Sequence, residues 1–130
     1  RACFGAGCFW GTEKFFKVDF GKKINPVSQI RGQVGYMGPR HAQSYPTYEE
    51  VCSGTTGHVE IYDFFYNGDE ITYERLVRHF FMFHDPTTVD QQGNDVGPWR
   101  HLRQCWLYPQ GQWHALIWLL WPTPQAAGTL

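Results

Sequence analysis

The sequence predicts an α+β or α/β two-layer domain, and three observations predict it. The 130 residues are one domain's length of chain. Apolar residues make up 42% and charged residues 18%, the balance of a chain with a core to bury. Apolar patterns and turn residues follow the order strand, helix, strand, strand, helix, which suits one layer of sheet under one of helix.

Each element has its own signal. Residues 2–4 read as a short strand entering Gly5-Ala6-Gly7, a turn that needs small residues. Residues 9–18 read as a helix, with Phe9, Phe15 and Phe16 apolar and Glu13, Lys14 and Lys17 polar. Residues 28–36 alternate through Ile30 and Val34 and read as a strand interrupted by glycines. Residues 38–46 are a loop. Residues 58–66 are a strand closed by the turn Asn67-Gly68. Thr72 is the expected N-cap of a helix reaching about residue 83. Its apolar residues Tyr73, Leu76, Val77, Phe80 and Phe81 fall at i, i+3, i+4, i+7 and i+8, and Pro86 follows its end.

Eleven Lys and Arg against twelve Asp and Glu give a net charge of −1. That balance lacks the basic footprint of a nucleic-acid binder and the polybasic signal of a membrane-surface protein. The longest apolar run, residues 115–121, is far short of the ~20 residues a bilayer requires. Neither nucleic acid nor membrane is an expected partner, and a monomer is expected. The expected compartment is the cytoplasm. An organelle stays open, because the chain begins at Arg1 and any targeting peptide is then unreadable. The four cysteines, Cys3, Cys8, Cys52 and Cys105, contain no Cys-x-x-Cys pair and no cluster. One or two working thiols are expected rather than a disulfide framework.

Composition changes abruptly along the chain. Residues 1–97 hold all twelve acidic residues. Residues 98–130 hold none, and no lysine, yet carry five of the six tryptophans and four of the eight prolines. The expected organisation is a core over residues 1–97 and a Trp- and Pro-rich tail over 98–130. That tail reads as a divergent terminal segment, an alternative splice product or a shifted reading frame.

Three places could carry chemistry. Cys8 follows Gly5-Ala6-Gly7 at a strand-to-helix turn. Free backbone N–H groups and the positive end of a helix stabilise a thiolate at such a position, and a thiolate is a nucleophile. The competing reading is a small buried cysteine under a glycine turn. Glu60 shares one face of its strand with Tyr62, Phe64 and Tyr66. Lost hydration on an aromatic face raises a carboxyl pKa and makes a general acid. The competing reading is a solvent-facing Glu60. Gln92-Gly93-Asn94-Asp95-Val96-Gly97 either orients groups in a pocket or only makes a turn. Phe9 and Trp10 either line an apolar pocket or pack in the core. The six histidines show no metal-ligand spacing, so no metal is expected. A Cys8–His58 hydrolase lacks the local signatures of cysteine proteases.

Several of these runs together resemble one family, peptide methionine sulfoxide reductase A. They are Phe4-Gly5-Ala6-Gly7-Cys8-Phe9-Trp10-Gly11-Thr12-Glu13, Val34-Gly35-Tyr36, the stretch from Pro46 to His58, then Glu60, His84-Asp85-Pro86 and Gln92 to Gly97. They stand in the family's order over residues 2–97. The resemblance implies a two-layer α/β sandwich with a ferredoxin-like core, altered or truncated at its C-terminus. It implies reduction of the S-epimer of methionine sulfoxide, free or in oxidised proteins and peptides, one of the two epimers that separate reductases repair. No bound cofactor is implied; thioredoxin or another thiol is the reductant. By position, Cys8 matches the catalytic nucleophile, which becomes a sulfenic acid, and Glu60 the acid that protonates the sulfoxide oxygen. Tyr48 and Asp95 match residues that orient the polar end of the substrate. Phe9 and Trp10 match the pocket for the methyl group.

The departures begin after Gly97. The family continues Thr-Gln-Tyr-Arg-Ser, whereas this chain reads Pro98-Trp99-Arg100-His101-Leu102. The second pocket tyrosine is absent, and no resolving cysteine is identified. A one-thiol enzyme reduced directly by thioredoxin or a small thiol is the simpler expectation. The alternative is a catalytically incompetent product of the same family that folds poorly or only binds oxidised methionine.

Overall fold

The computed structural model describes residues 1–38, 42, 44–85, 87, 88, 91, 92, 95, 96 and 105–107, and only the backbone of 92, 95, 96 and 105–107. Its centre is the alternating strand β3, Val59–Phe65. Alternation sends Glu60, Tyr62 and Phe64 to the buried side and leaves Phe65 exposed at the end. On one flank β3 pairs antiparallel with β1, Ala2–Gly5, in the register Ala2 to Phe64 and Phe4 to Tyr62. On the other it pairs antiparallel with β2, Arg31–Met37, from Arg31 opposite Phe65 to Met37 opposite Val59. β1 and β2 therefore run parallel with β3 between them. This is a split β-α-β unit, the building block of the ferredoxin-like fold.

The crossover helix begins as α1, Phe9–Glu13, and continues without a break as π-helix over Lys14–Ile24. The expected helix ended at residue 18; the actual one runs six residues further and is α-helical only in its first turn. The wider turns bring Phe16, Phe20 and Gly21 to the buried side. Asn25 N–H closes the last turn on the Phe20 carbonyl at 2.8 Å, an i to i+5 bond. On the outer side Glu13–Lys17 and Asp19–Lys23 pair at 2.9 and 2.5 Å. A 3₁₀ turn, Pro26–Ser28, then shortens the expected second strand from its front.

Two further helices follow. α2, Tyr48–Cys52, was not anticipated. It starts in a capping box: Thr47 Oγ1 accepts from Glu50 N–H, and Thr47 N–H donates to Glu50. α3, Glu70–Phe83, is capped by Asp69 rather than by Thr72. Thr72 instead donates both its N–H and its hydroxyl to Asp69 Oδ1 at 3.0 Å. Of its predicted apolar face Tyr73, Leu76 and Phe80 are buried, while Phe81 is 44% exposed. The core lies between sheet and helices, where Phe4 stacks on Phe16 at 4.5 Å and meets Phe80 at 5.1 Å.

Beyond α3, the short strands β4, Gln91–Gln92, and β5, Asp95–Val96, pair with each other. β6, Cys105–Leu107, pairs antiparallel with β1, with Cys105 opposite Gly5. The four-stranded order β2-β3-β1-β6 is that of a ferredoxin-like sheet, its fourth strand drawn from the Trp-rich tail. The longest apolar run, residues 115–121, lies outside the described residues, as does nearly all of the tail.

Candidate active site

The site begins at a backbone requirement. Gly7 has φ +77°, a left-handed conformation natural to glycine, and it turns the chain out of β1. Cys8 then stands at the N-cap of α1, φ −52° and ψ 120°, with no side-chain capping bond. Its carbonyl accepts from Gly11 N–H at 3.1 Å and Thr12 N–H at 3.2 Å. Its side chain is half-buried and its thiol free.

The N–H of Phe9, the next residue, donates to Glu60 Oε2 at 2.8 Å. Glu60 is 2% exposed, on the inner face with Tyr62 and Phe64. The solvent-facing reading of Glu60 is thereby excluded. Strand alternation and one backbone hydrogen bond set a buried carboxyl against the peptide unit that leaves Cys8, across 51 residues of chain.

Aromatic rings gather around Phe9, which is buried outside the main core cluster. Trp10 meets it edge-on at 5.1 Å, Tyr36 lies at 5.6 Å and Tyr48 at 6.2 Å. Trp10 is 61% exposed, so it is no core residue. Tyr48, 49% exposed, projects from the first turn of α2. Cys8, Glu60, Phe9, Trp10 and Tyr48 thus meet at one place. The backbone of Asp95 lies in β5, and its side chain falls outside the described residues.

Two residues join the group that sequence reasoning did not assign. Tyr36 stands opposite Glu60 in the β2–β3 register. Burial, then the nearby Glu60, Cys52 and Glu49, raise its phenol above the ordinary value. Cys52 lies one turn beyond Tyr48. Hydrogen bonding to Cys52, then its charge, burial, Glu60 and Cys8 push the Tyr48 phenol up to about 12. The signals were present: Tyr36 closes the Val34-Gly35-Tyr36 run, and Thr47 to Glu50 spells a capping box. Cys3 differs, since burial pushes its thiol up to about 12 and keeps it protonated. Among the described residues no group of three or more His, Cys, Asp or Glu could hold a metal ion.

Such an arrangement can place a sulfur nucleophile, a proton donor and an apolar recess around one small polar group. The chain is also similar in sequence and fold to known proteins. The sequence model of a family described as "Peptide methionine sulfoxide reductase" matches residues 1–108. A peptide methionine sulfoxide reductase MsrA of Methanothermobacter thermautotrophicus is 46% identical over 97 residues, covering 75% of this chain and 52% of that protein. One of Thermoactinomyces vulgaris is 45% identical over 96 residues, covering 74% of this chain and 71% of that protein. The chain spans about half the length of most of the curated relatives it matches, such as those of Methanothermobacter and Nautilia profundicola. Among solved structures, reduced Mxr1 from Saccharomyces cerevisiae is similar with a TM-score of 0.62 and 35% identity, covering 78% of this chain and 55% of that one. Methionine sulfoxide reductase A of Corynebacterium diphtheriae is similar with a TM-score of 0.62 and 31% identity, covering 85% and 48%.

Proposed function

This chain belongs to the peptide methionine sulfoxide reductase family, and from that premise we propose that it reduces the S-epimer of methionine sulfoxide at Cys8. The observation that carries the proposal is the buried Glu60 carboxyl bonded to the N–H of Phe9, beside the half-buried Cys8 thiol at the head of α1.

The chemistry follows from the residue types. The Cys8 sulfur attacks the sulfoxide sulfur. Oxygen is a poor leaving group unless protonated, and Glu60 supplies that proton; its burial disfavours the charged form. The substrate sulfur gains two electrons and leaves as the thioether of methionine. The S–S bond formed by the attack breaks as the protonated oxygen passes from the substrate sulfur to the Cys8 sulfur, so Cys8 loses two electrons and becomes a sulfenic acid. A thiol of thioredoxin or a small thiol then condenses with it, releasing water and forming a disulfide. A second thiol of the reductant frees Cys8. Phe9, Trp10 and Tyr36 form the apolar recess for the methyl group. The Tyr48 hydroxyl, with Asp95, orients the polar end. Substrates are free methionine sulfoxide and oxidised proteins or peptides, and the chain works as a monomer without a bound cofactor or metal.

The test is a single-turnover assay. Reduced chain, freed of reductant, is mixed with the S-epimer of a methionine sulfoxide peptide. About one methionine per Cys8 is expected, none from Cys8→Ser, and a step slowed by about 10²–10⁴-fold in Glu60→Gln. Turnover retained in Cys8→Ser would sink the assignment. No methionine from folded wild-type chain with a free Cys8 thiol would make the chain a catalytically incompetent relative.

A further inference from the structure

Two opposed influences act on the proposed acid. The N–H of Phe9 reaches Glu60 Oε2 at 2.8 Å, and a donor on a carboxyl oxygen favours the ionised form. Exclusion of water favours the protonated form, and Glu60 is 2% exposed. Tyr36 stands directly opposite Glu60 in the antiparallel β2–β3 pair, so both side chains lie on one face of the sheet. Among the described strands β2 is an edge, which leaves Tyr36 between Glu60 and the border of the sheet. The Tyr36 ring lies 5.6 Å from that of Phe9. Phe9 thus holds the carboxyl with its backbone and meets the Tyr36 ring with its side chain. Tyr36 itself is half-buried, the outer neighbour of a fully buried group.

We propose that Tyr36 is a positioning residue for the acid: its ring closes the β2 side of the Glu60 pocket against water, so that Glu60 keeps its proton until the sulfoxide oxygen takes it. The inference rests on Glu60 acting as that acid. Among the described residues, the titratable groups around Glu60 are Tyr36 from β2, Cys8 at the head of α1, and Tyr48 and Cys52 from α2. His58 and Tyr62 lie two residues either way on the same buried side of its own chain. Glu49 of α2 is felt at Tyr36. β1 brings Cys3, which stands opposite Asp63 and so on the other face. No lysine or arginine is in this group, and a Cys8 thiolate or an ionised Glu49 repels a second negative charge. A water at the carboxyl would add to the Phe9 N–H and favour ionisation; the ring keeps it out. Burial, and then Glu60, raise the Tyr36 phenol, as two groups sharing one dry space should. The covering is done by the ring, not by the hydroxyl.

Two readouts test it on the full chain. The first needs no turnover: the titration of the Glu60 ¹³Cδ signal, assigned by its loss in Glu60→Gln. In wild-type chain the midpoint is expected well above about 4.3, the value of a free glutamate side chain. Tyr36→Ala should bring it down by about one pH unit, a tenfold change in the ionisation constant, and Tyr36→Phe should keep it in place. Tyr36→Thr, whose branched side chain suits a strand, serves the same purpose if Tyr36→Ala does not fold. The second readout is the pH profile of the single-turnover step. Its inflection at the Glu60 midpoint should move with that midpoint in Tyr36→Ala and return in Tyr36→Phe. A midpoint unmoved in Tyr36→Ala or Tyr36→Thr overturns the inference even if the rate falls, because Tyr36 then only shapes the recess. So does a shift of equal size in Tyr36→Phe, which would assign the effect to the hydroxyl. A wild-type midpoint at the free value overturns it too. If wild-type chain shows no turnover, the functional reading fails separately, and the midpoints still decide whether the ring keeps the carboxyl protonated.

Discussion

Gly7 shows how one residue sets the chemistry of the next. Its φ of +77° turns the chain so that Cys8 leaves β1 and caps α1. A Cβ at that φ costs about 1–2 kcal/mol. Gly7→Ala is therefore expected to lower unfolding stability by about that amount in a urea titration. It should also slow the single-turnover step, because the strain is relieved by rotating the peptide that carries Cys8. Gly38 is constrained by space instead: a Cβ there would lie 2.5 Å from the buried His58 ring. At this scale the sequence was informative about Cys8 and Glu60, since a glycine turn and a two-residue alternation are local facts. Trp10 was less legible. An exposed and a buried tryptophan look alike in a sequence, and only the packing of Phe9 beneath it separates them.

At the scale of elements, the first and last turns carry the information. Asp69 begins α3, and the Thr72 N–H and then the Thr72 hydroxyl hold its carboxyl below the ordinary value. A lowered value means the ionised form is favoured by folding. That contribution is present above the unfolded value of about 3.9 and is lost as pH falls through the folded one. Asp69→Ala should accordingly lower Tm at pH 7, and the gap to wild type should close once the pH lies below the folded value. Thermal melts across the acid range check this. Thr72 looked like the cap because it precedes the apolar stripe directly. Asp69 won because its carboxylate reaches both the N–H and the hydroxyl of Thr72, keeping the turn from Glu70 helical. The π-helical run was illegible for a related reason. Its wide turns bury Phe16 against Phe4 and Phe64 of the sheet, Phe20 against His79 of α3 and Gly21 beside Ile30, a gain that local propensity does not contain.

The described residues form a ferredoxin-like sheet with helices packed over one core cluster rich in Phe4, Phe16, Phe64 and Phe80. Buried acids whose ionised forms are disfavoured make that packing sensitive to alkali. Burial pushes Cys3 from 9.0 to about 12 and Tyr62 from 10.0 to about 12, with Glu13 adding to the latter. Both values are raised, so the folded chain keeps protons that the unfolded chain releases. Stability is full below about pH 9 and falls as pH rises toward 12. Urea midpoints measured across that range should decline, and Cys3→Ala should delay the onset toward the Tyr62 window near pH 10. The order of the strands places the site as well. β1 delivers Cys8, and β3, its neighbour in the sheet, delivers Glu60, so the two arrive on adjacent strands.

Periodicity and turn chemistry carried the element order, the buried face of β3 and the identity of the thiol at the head of α1. These are properties of residues close in sequence, and their physics acts before the chain is folded. The family resemblance rested on the same local runs. Contacts between distant segments required the fold. Phe9 meets Glu60, Tyr36 and Tyr48 only because β2, β3 and α2 converge there. The short strand Cys105–Leu107 carries no pattern of its own, and it is defined by the open edge of β1 that it completes. Burial and cross-strand register arise from the entire packed chain, so neighbouring letters alone did not specify them.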